Sequence, residues 1–161
     1  MTEKQFWMKA DQISESHKSH EEKSVLMVPL LKEAYEQNFK IPILYREGVH
    51  GQHHVYMNLD DLHPNTIGNR TLVCYTSKRK ADTDIQAILS GAGWGYVPAR
   101  DLMNNMFNKA IIGSLIFNCY SLDLSVPVQK SQLMAIIPGP YPKPDGFVDV
   151  PVSGYPRIRF E

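Results

Sequence analysis

The chain has 161 residues, 43% of them hydrophobic, with 17 Lys and Arg balanced by 17 Asp and Glu. That length fits one domain of ordinary size, and the apolar share is enough for a packed core, so two full domains and a wholly disordered chain are excluded. Zero net charge points away from nucleic acid and anionic membranes, and two cysteines, Cys74 and Cys119, are too few for a disulfide framework.

A reducing compartment, and hence a cytoplasmic location, is the simplest expectation. The longest apolar run, Ala110 to Tyr120, is interrupted by Gly113, Ser114 and Asn118 and falls short of the roughly 18 residues that span a bilayer. Neither a membrane partner nor a cofactor is expected.

In chain order, Phe6, Trp7, Ala10 and Ile13 predict an N-terminal helix. Residues 14–24 (SESHKSHEEKS) contain no aliphatic side chain and read as an exposed helix end or linker. Met27, Leu30, Leu31, Ala34 and Tyr35 match the spacing of a helix with one buried face, with Pro29 acceptable near its first turn or at a kink. Lys40 to Tyr45 and Val55 to Leu59 read as strands of a hairpin turning at Gly48 to Gly51.

Arg70 to Thr76 is an apolar run of strand length that leads into a helix burying Ala81, Ile85, Ile88 and Leu89, with Gly91 as its stop. Trp94 to Pro98 predicts a short strand. Ala99, Leu102, Met103, Met106, Phe107 and Ala110 predict the strongest helix, Ser114 to Tyr120 a second buried strand, and Leu133, Ile136 and Ile137 a last short helix ended by Pro138. The fold class is therefore α/β with α+β character: a mixed sheet of about five strands with an N-terminal hairpin, helices packed on it, and parallel pairing in the second half. Residues 1–137 read as one domain. Residues 138–161 hold six of the eleven prolines and read as an extended tail.

Three groups of residues have the right chemistry for a site. His50, His53 and His54, with His63 nearby, are the densest set of imidazoles; they read as a metal site or as a solvated hairpin tip, and no Glu follows His50 as the HExxH arrangement requires. Thr76, Ser77, Lys78 and Lys80 stand at a predicted helix start, where hydroxyls, cations and free N–H groups can hold a phosphate or carboxylate. A solvated basic turn is the alternative there. If strands 70–76 and 114–120 run parallel, Asn118 and Ser121 share that edge of the sheet, where ligands often bind, although Asn118 serves equally well as a backbone cap. Cys74 and Cys119 fall on core strands, where thiols act as small hydrophobes, and the GAGWGY segment (residues 91–96) reads as helix stop and strand entry. Met27, Met103 and Met106 lie on core faces.

The segments IPILY (Ile41 to Tyr45), LVCYTSKRKAD (Leu72 to Asp82) and GSLIFNCYSLDLSVPVQKSQL (Gly113 to Leu133) resemble the N-terminal domain of the SseB family, named for enhanced serine sensitivity. The resemblance covers roughly residues 25–137. It implies a compact α/β domain without established catalytic activity, found in bacterial proteins alone or fused to a second domain.

The leading expectation is a non-enzymatic interaction or regulatory module. Tyr141, Phe147, Tyr155 and Phe160 of the tail are too apolar for a solvated linker and would bind a protein partner or a second copy. The alternative is an anion or small-ligand binder using Thr76, Ser77, Lys78, Lys80, Asn118 and Ser121. A metal-dependent enzyme using His50, His53 and His54 is the third reading.

Overall fold

The structure, a computed structural model, describes residues 1–48, 51–58, 70–89, 91–152 and 155. Two helices open the chain, each started by a reciprocal cap. In α1 (Glu3–Glu15) the Thr2 hydroxyl accepts from the Gln5 amide while the Gln5 side chain accepts from the Thr2 amide; in α2 (His20–Gln37) Ser19 and Glu22 do the same. Asn38 ends α2 in the left-handed region, a cap position that Asn tolerates. Because α2 begins at His20, Pro29 stands in its interior and not in its first turn. The carbonyl that loses its partner there is that of Val25, whose side chain faces outward.

The expected hairpin is present: β1 (Lys40–Glu47) pairs antiparallel with β2 (His53–Asn58), Tyr45 opposite Val55. Then follow β3 (Arg70–Cys74), α3 (Lys78–Asp82), α4 (Ile85–Leu89), β4 (Gly93–Pro98), α5 (Ala99–Phe107), β5 (Ile112–Phe117), β6 (Val126–Gln129), α6 (Lys130–Met134) and β7 (Phe147–Val152). The strand order is β4-β1-β2-β3-β5-β6, with β7 added to β2. The pairs β3–β5 and β2–β7 are parallel and β1–β4 and β5–β6 antiparallel, so the sheet is mixed, as expected. Among the described residues it has seven strands, two more than the pattern predicts. The four-residue β6 is too short to show periodicity, and β7 lies in the proline-rich tail.

Alternation along the strands divides the core in two. Ile43, Val55, Leu72, Leu115 and Phe117 face a thick layer containing Phe6 of α1, Met27 and Leu31 of α2, Met103 and Met106 of α5 and Leu133 of α6. Leu44, Tyr56, Val73 and Ile116 face the other way, onto a thinner layer formed by Ala81, Ala87, Cys119, Val152 and Tyr155. The sheet edges differ as well: α2 packs against β6, while β4 forms the opposite edge.

Two expectations need correction. The helix predicted to bury Ala81, Ile85, Ile88 and Leu89 is broken at Thr83 and Asp84 into α3 and α4; Ala81 and Ala87 are buried, but Ile85, Ile88 and Leu89 are exposed. The tail, expected to offer Tyr141, Phe147 and Tyr155 to a partner, instead docks on its own chain. The Tyr141 ring lies 4.4 Å from that of Phe107, Phe147 enters β7 beside His53, and Tyr155 is buried. The reason is pairing: β7 donates a full strand to β2, which places Val152 and Tyr155 over the thin face. Phe160 lies outside the described residues.

Candidate functional site

The carboxyl edge of the parallel pair β3–β5 does bring Thr76 and Asn118 together, as the sequence reading requires. Asn118 is fully buried and left-handed, with φ 57°. Its Oδ1 accepts from the Thr76 amide at 3.2 Å, and its Nδ2 donates to Thr76 Oγ1 and Ser14 Oγ, both at 2.8 Å. Ser14 in turn donates to the Leu124 carbonyl.

Thr76, Lys80 and Asn118 are already engaged at this edge, because α1 lies across it. Thr76 Oγ1 donates to Asp11, and the Lys80 ammonium lies 2.8 Å from Asp11 and 2.7 Å from Glu15. Ser77 caps α3 by accepting from the Lys80 amide, Ser121 belongs to the turn closed by Ser125, and only Lys78 points into solvent. The two acidic side chains of α1 therefore supply the negative charge that the anion reading assigned to a ligand. The supposed linker contributes too: Ser14, Lys23 and Ser24 are buried, and Lys23 Nζ donates to the Ser14 and Asp123 carbonyls at 2.8 and 2.6 Å. Burial lowers the Lys23 pKa, partly offset by Asp123.

This clamp is pH-sensitive in a predictable direction. The Lys80 hydrogen bond, and then its charge, holds the Glu15 carboxyl below its ordinary value of 4.5. Burial opposes the charge on Lys80, but its bonds to Asp11 and Glu15 outweigh that and raise its pKa. A carboxylate with a depressed folded-state pKa stabilises fully above its unfolded value, and the contribution is lost as pH falls through the folded value. Replacing Lys80→Met is therefore expected to lower the melting temperature at neutral pH. In thermal melts the gap between variant and wild type should narrow steadily below about pH 4.5. A gap that stays constant into acid would assign the loss to packing alone.

The two described histidines of the cluster, His53 and His54, do not come together. His53 and His54 are successive residues of β2 and so point to opposite faces: His53 Nδ1 shares a hydrogen bond with the Tyr45 hydroxyl, and His54 Nδ1 accepts from Arg46. His50 and His63 lie outside the described residues. No group of three or more His, Cys, Asp or Glu among the described residues is placed to hold a metal ion. Cys74 and Cys119 are both buried, which raises their thiol pKa values and keeps them protonated.

A second buried polar cluster, not singled out in the sequence, occupies the thin face. Asp84 is fully buried between the α3 and α4 helices. Its Oδ2 accepts from the hydroxyls of Tyr75 at 2.5 Å and Tyr155 at 2.9 Å, and its Oδ1 accepts from the Ala87 amide, capping α4. Burial raises the pKa of both phenols, so they remain donors. Asp84 explains the break between α3 and α4: a buried acid at a helix start needs the chain to turn there.

The consequence appears on the surface. Ile85, Ile88 and Leu89 occupy positions i, i+3 and i+4 of α4, one helical face, and are exposed by 68%, 69% and 74%. Next to them on the edge strand β4 are Tyr96, half exposed, and Trp94, their rings edge to face at 5.3 Å; the Trp94 indole N–H donates to Asp82. The signal was available, since an apolar stripe only five residues long beside a potential cap residue is too short to anchor a buried helix, but its outward direction depends on Asp84.

Among the described residues no helix is long and apolar enough to cross a membrane. No family model, curated protein or solved structure matches the chain.

Proposed function

We propose that this chain is a protein-interaction module of SseB-like type, acting by binding and not by catalysis, and that its binding surface is α4 together with the edge strand β4. The observation that carries the reading is the apolar face of α4, turned to solvent near β4 with its half-exposed Tyr96. Three large aliphatic side chains at helical spacing are normally the buried side of a helix. Outward, they form an apolar patch of the kind that marks a docking site. The polar edge at Thr76 and Asn118 supports the same reading, since its groups are consumed in holding α1 to the sheet.

A photoreactive amino acid replacing Ile88 is expected to form covalent adducts with protein in cells expressing the chain. The same amino acid at Met8, an exposed position on α1, serves as the control and should form none. Equal yields at both positions, or none at Ile88, would overturn the reading.

A further inference from the structure

We infer that the partner of this surface is a second copy of the chain, joined edge to edge through antiparallel pairing of β4 with β4; the inference rests on the binding surface proposed above and names its occupant. The register of the β1–β4 ladder decides which backbone groups are free. Ala99 donates to the Phe39 carbonyl, one step beyond the Lys40–Pro98 pair, so the hydrogen-bonded pairs of this antiparallel ladder are Ile41–Val97, Ile43–Gly95 and Tyr45–Gly93. Pro42, opposite Tyr96, agrees: its carbonyl turns the other way, to the Tyr75 amide. Trp94 and Tyr96 therefore aim both N–H and C=O away from β1, and none of these four groups has a partner among the described residues.

Free edges of this kind are ordinarily protected by a lysine, a bulge or a proline. In β4 the only proline is Pro98, at its end, and no residue from Gly93 to Val97 is charged. The strand is also complementary to itself. An antiparallel copy centred on Gly95 sets Trp94 opposite Tyr96 of the second copy, and Tyr96 opposite Trp94, using all four free groups of each strand. A register centred on Tyr96 would set Trp94 against Pro98, which lacks an N–H, and one centred on Trp94 would run past the start of β4 at Gly93. One register is thus favoured.

Gly95 tolerates the axis because the Tyr45 ring already covers the position where its side chain would lie; a Cβ there would come within 2.6 Å of Tyr45 Cδ1. The four aromatic rings gather on the face that carries α4, and cross-strand aromatic pairs are among the favourable ones. Ile85, Ile88, Leu89 and Tyr96 leave on the order of 500 Å² exposed, as large as the biggest apolar patch on a typical monomer. Pairing along β4 brings the half-exposed Tyr96 ring of each copy against Trp94 of the other.

Sedimentation from micromolar to millimolar concentration is expected to show a reversible monomer–dimer equilibrium, and hydrogen exchange at Trp94 and Tyr96 amides should slow as the dimer forms. Tyr96→Lys places a charge at the paired edge without touching the β1 ladder and should raise the dimer Kd by on the order of 100-fold, since two copies of the change enter one interface. Leu89→Lys should weaken it in the same direction. Both variants are at exposed positions and should melt as wild type does when diluted. A particle that stays monomeric throughout, or a dimer indifferent to Tyr96→Lys, overturns the inference. If the protein is monomeric while Ile88 still forms adducts with a different protein, the surface stands and only the occupant changes; no dimer and no adduct removes both.

Discussion

A chain ending at Asp145 is expected to lose most of its stability, with a melting temperature more than 10 °C lower or no cooperative transition at all. Truncation removes β7, the strand that pairs with β2 from His53–Phe147 to Asn58–Val152. It uncovers the thin face where Val152 and Tyr155 are only 7% and 8% exposed, a loss of about 2 kcal/mol for each side chain by burial alone. It takes away one of the two hydroxyls on the buried Asp84 carboxylate, and buried charge without its donors is costly. It also breaks the Lys109–Asp149 ion pair and the Asn105–Asp149 hydrogen bond, which tie β7 to α5 and the turn after it. The sum is about 5 kcal/mol or more, a third to all of the stability of an ordinary domain. A tail whose task is to meet a partner would behave oppositely, leaving the isolated protein's melting unchanged. Tyr155→Phe separates the terms: losing the hydroxyl alone should cost about 1 kcal/mol.

The contrast between tail and α4 shows what periodicity conveys and what it leaves out. Elements with several turns or alternations were legible. Leu102, Met103 and Met106 on α5 follow from spacing alone, because one buried face imposes a period on the residues that line it, and the two strands of the hairpin were legible as well. The shared edge of Thr76 and Asn118 was legible too, since parallel strands align their ends. What covers that edge was not. Asp11, Ser14 and Glu15 reach Lys80 and Asn118 from about 65 to 105 positions away, and a polar segment that is buried through long-range hydrogen bonds has the same composition as a solvated one. Prolines in the tail signalled correctly that it is extended. They could not signal that β2 had a free side to receive it, with Pro151 tolerated because, among the described residues, β7 pairs only with β2. For α4 the spacing of Ile85, Ile88 and Leu89 was legible, but joining it to Ala81 in one helix assigned the face inward; the cap at Asp84 separates Ala81 from the stripe, and its burial is fixed by the distant Tyr155.

Asn118→Ala is expected to destabilise the protein by about 3–5 kcal/mol, among the largest effects a single exchange produces in a domain. Two costs add. The position has φ 57°, where a side chain with a Cβ loses about 1–2 kcal/mol unless, like Asn, it bonds locally. The rest comes from partners: the Thr76 amide loses its acceptor in a fully buried site, at about 1–3 kcal/mol, and the Ser14 and Thr76 hydroxyls lose a donor. Asn118→Gly incurs only the second cost, so the stabilities should rank wild type, then Gly, then Ala, with the Gly variant about 1–2 kcal/mol above Ala because it escapes the backbone cost. Denaturant melts of the three proteins measure both steps. Because Ser14 belongs to α1, the Gly variant should also open that helix: amides of Phe6 to Ser14 are expected to exchange faster than in wild type while those of β5 keep their protection. Equal stability of Asn118→Gly and wild type would show that the backbone angle alone is what position 118 demands, and that α1 is held by Lys80 with Asp11 and Glu15 instead.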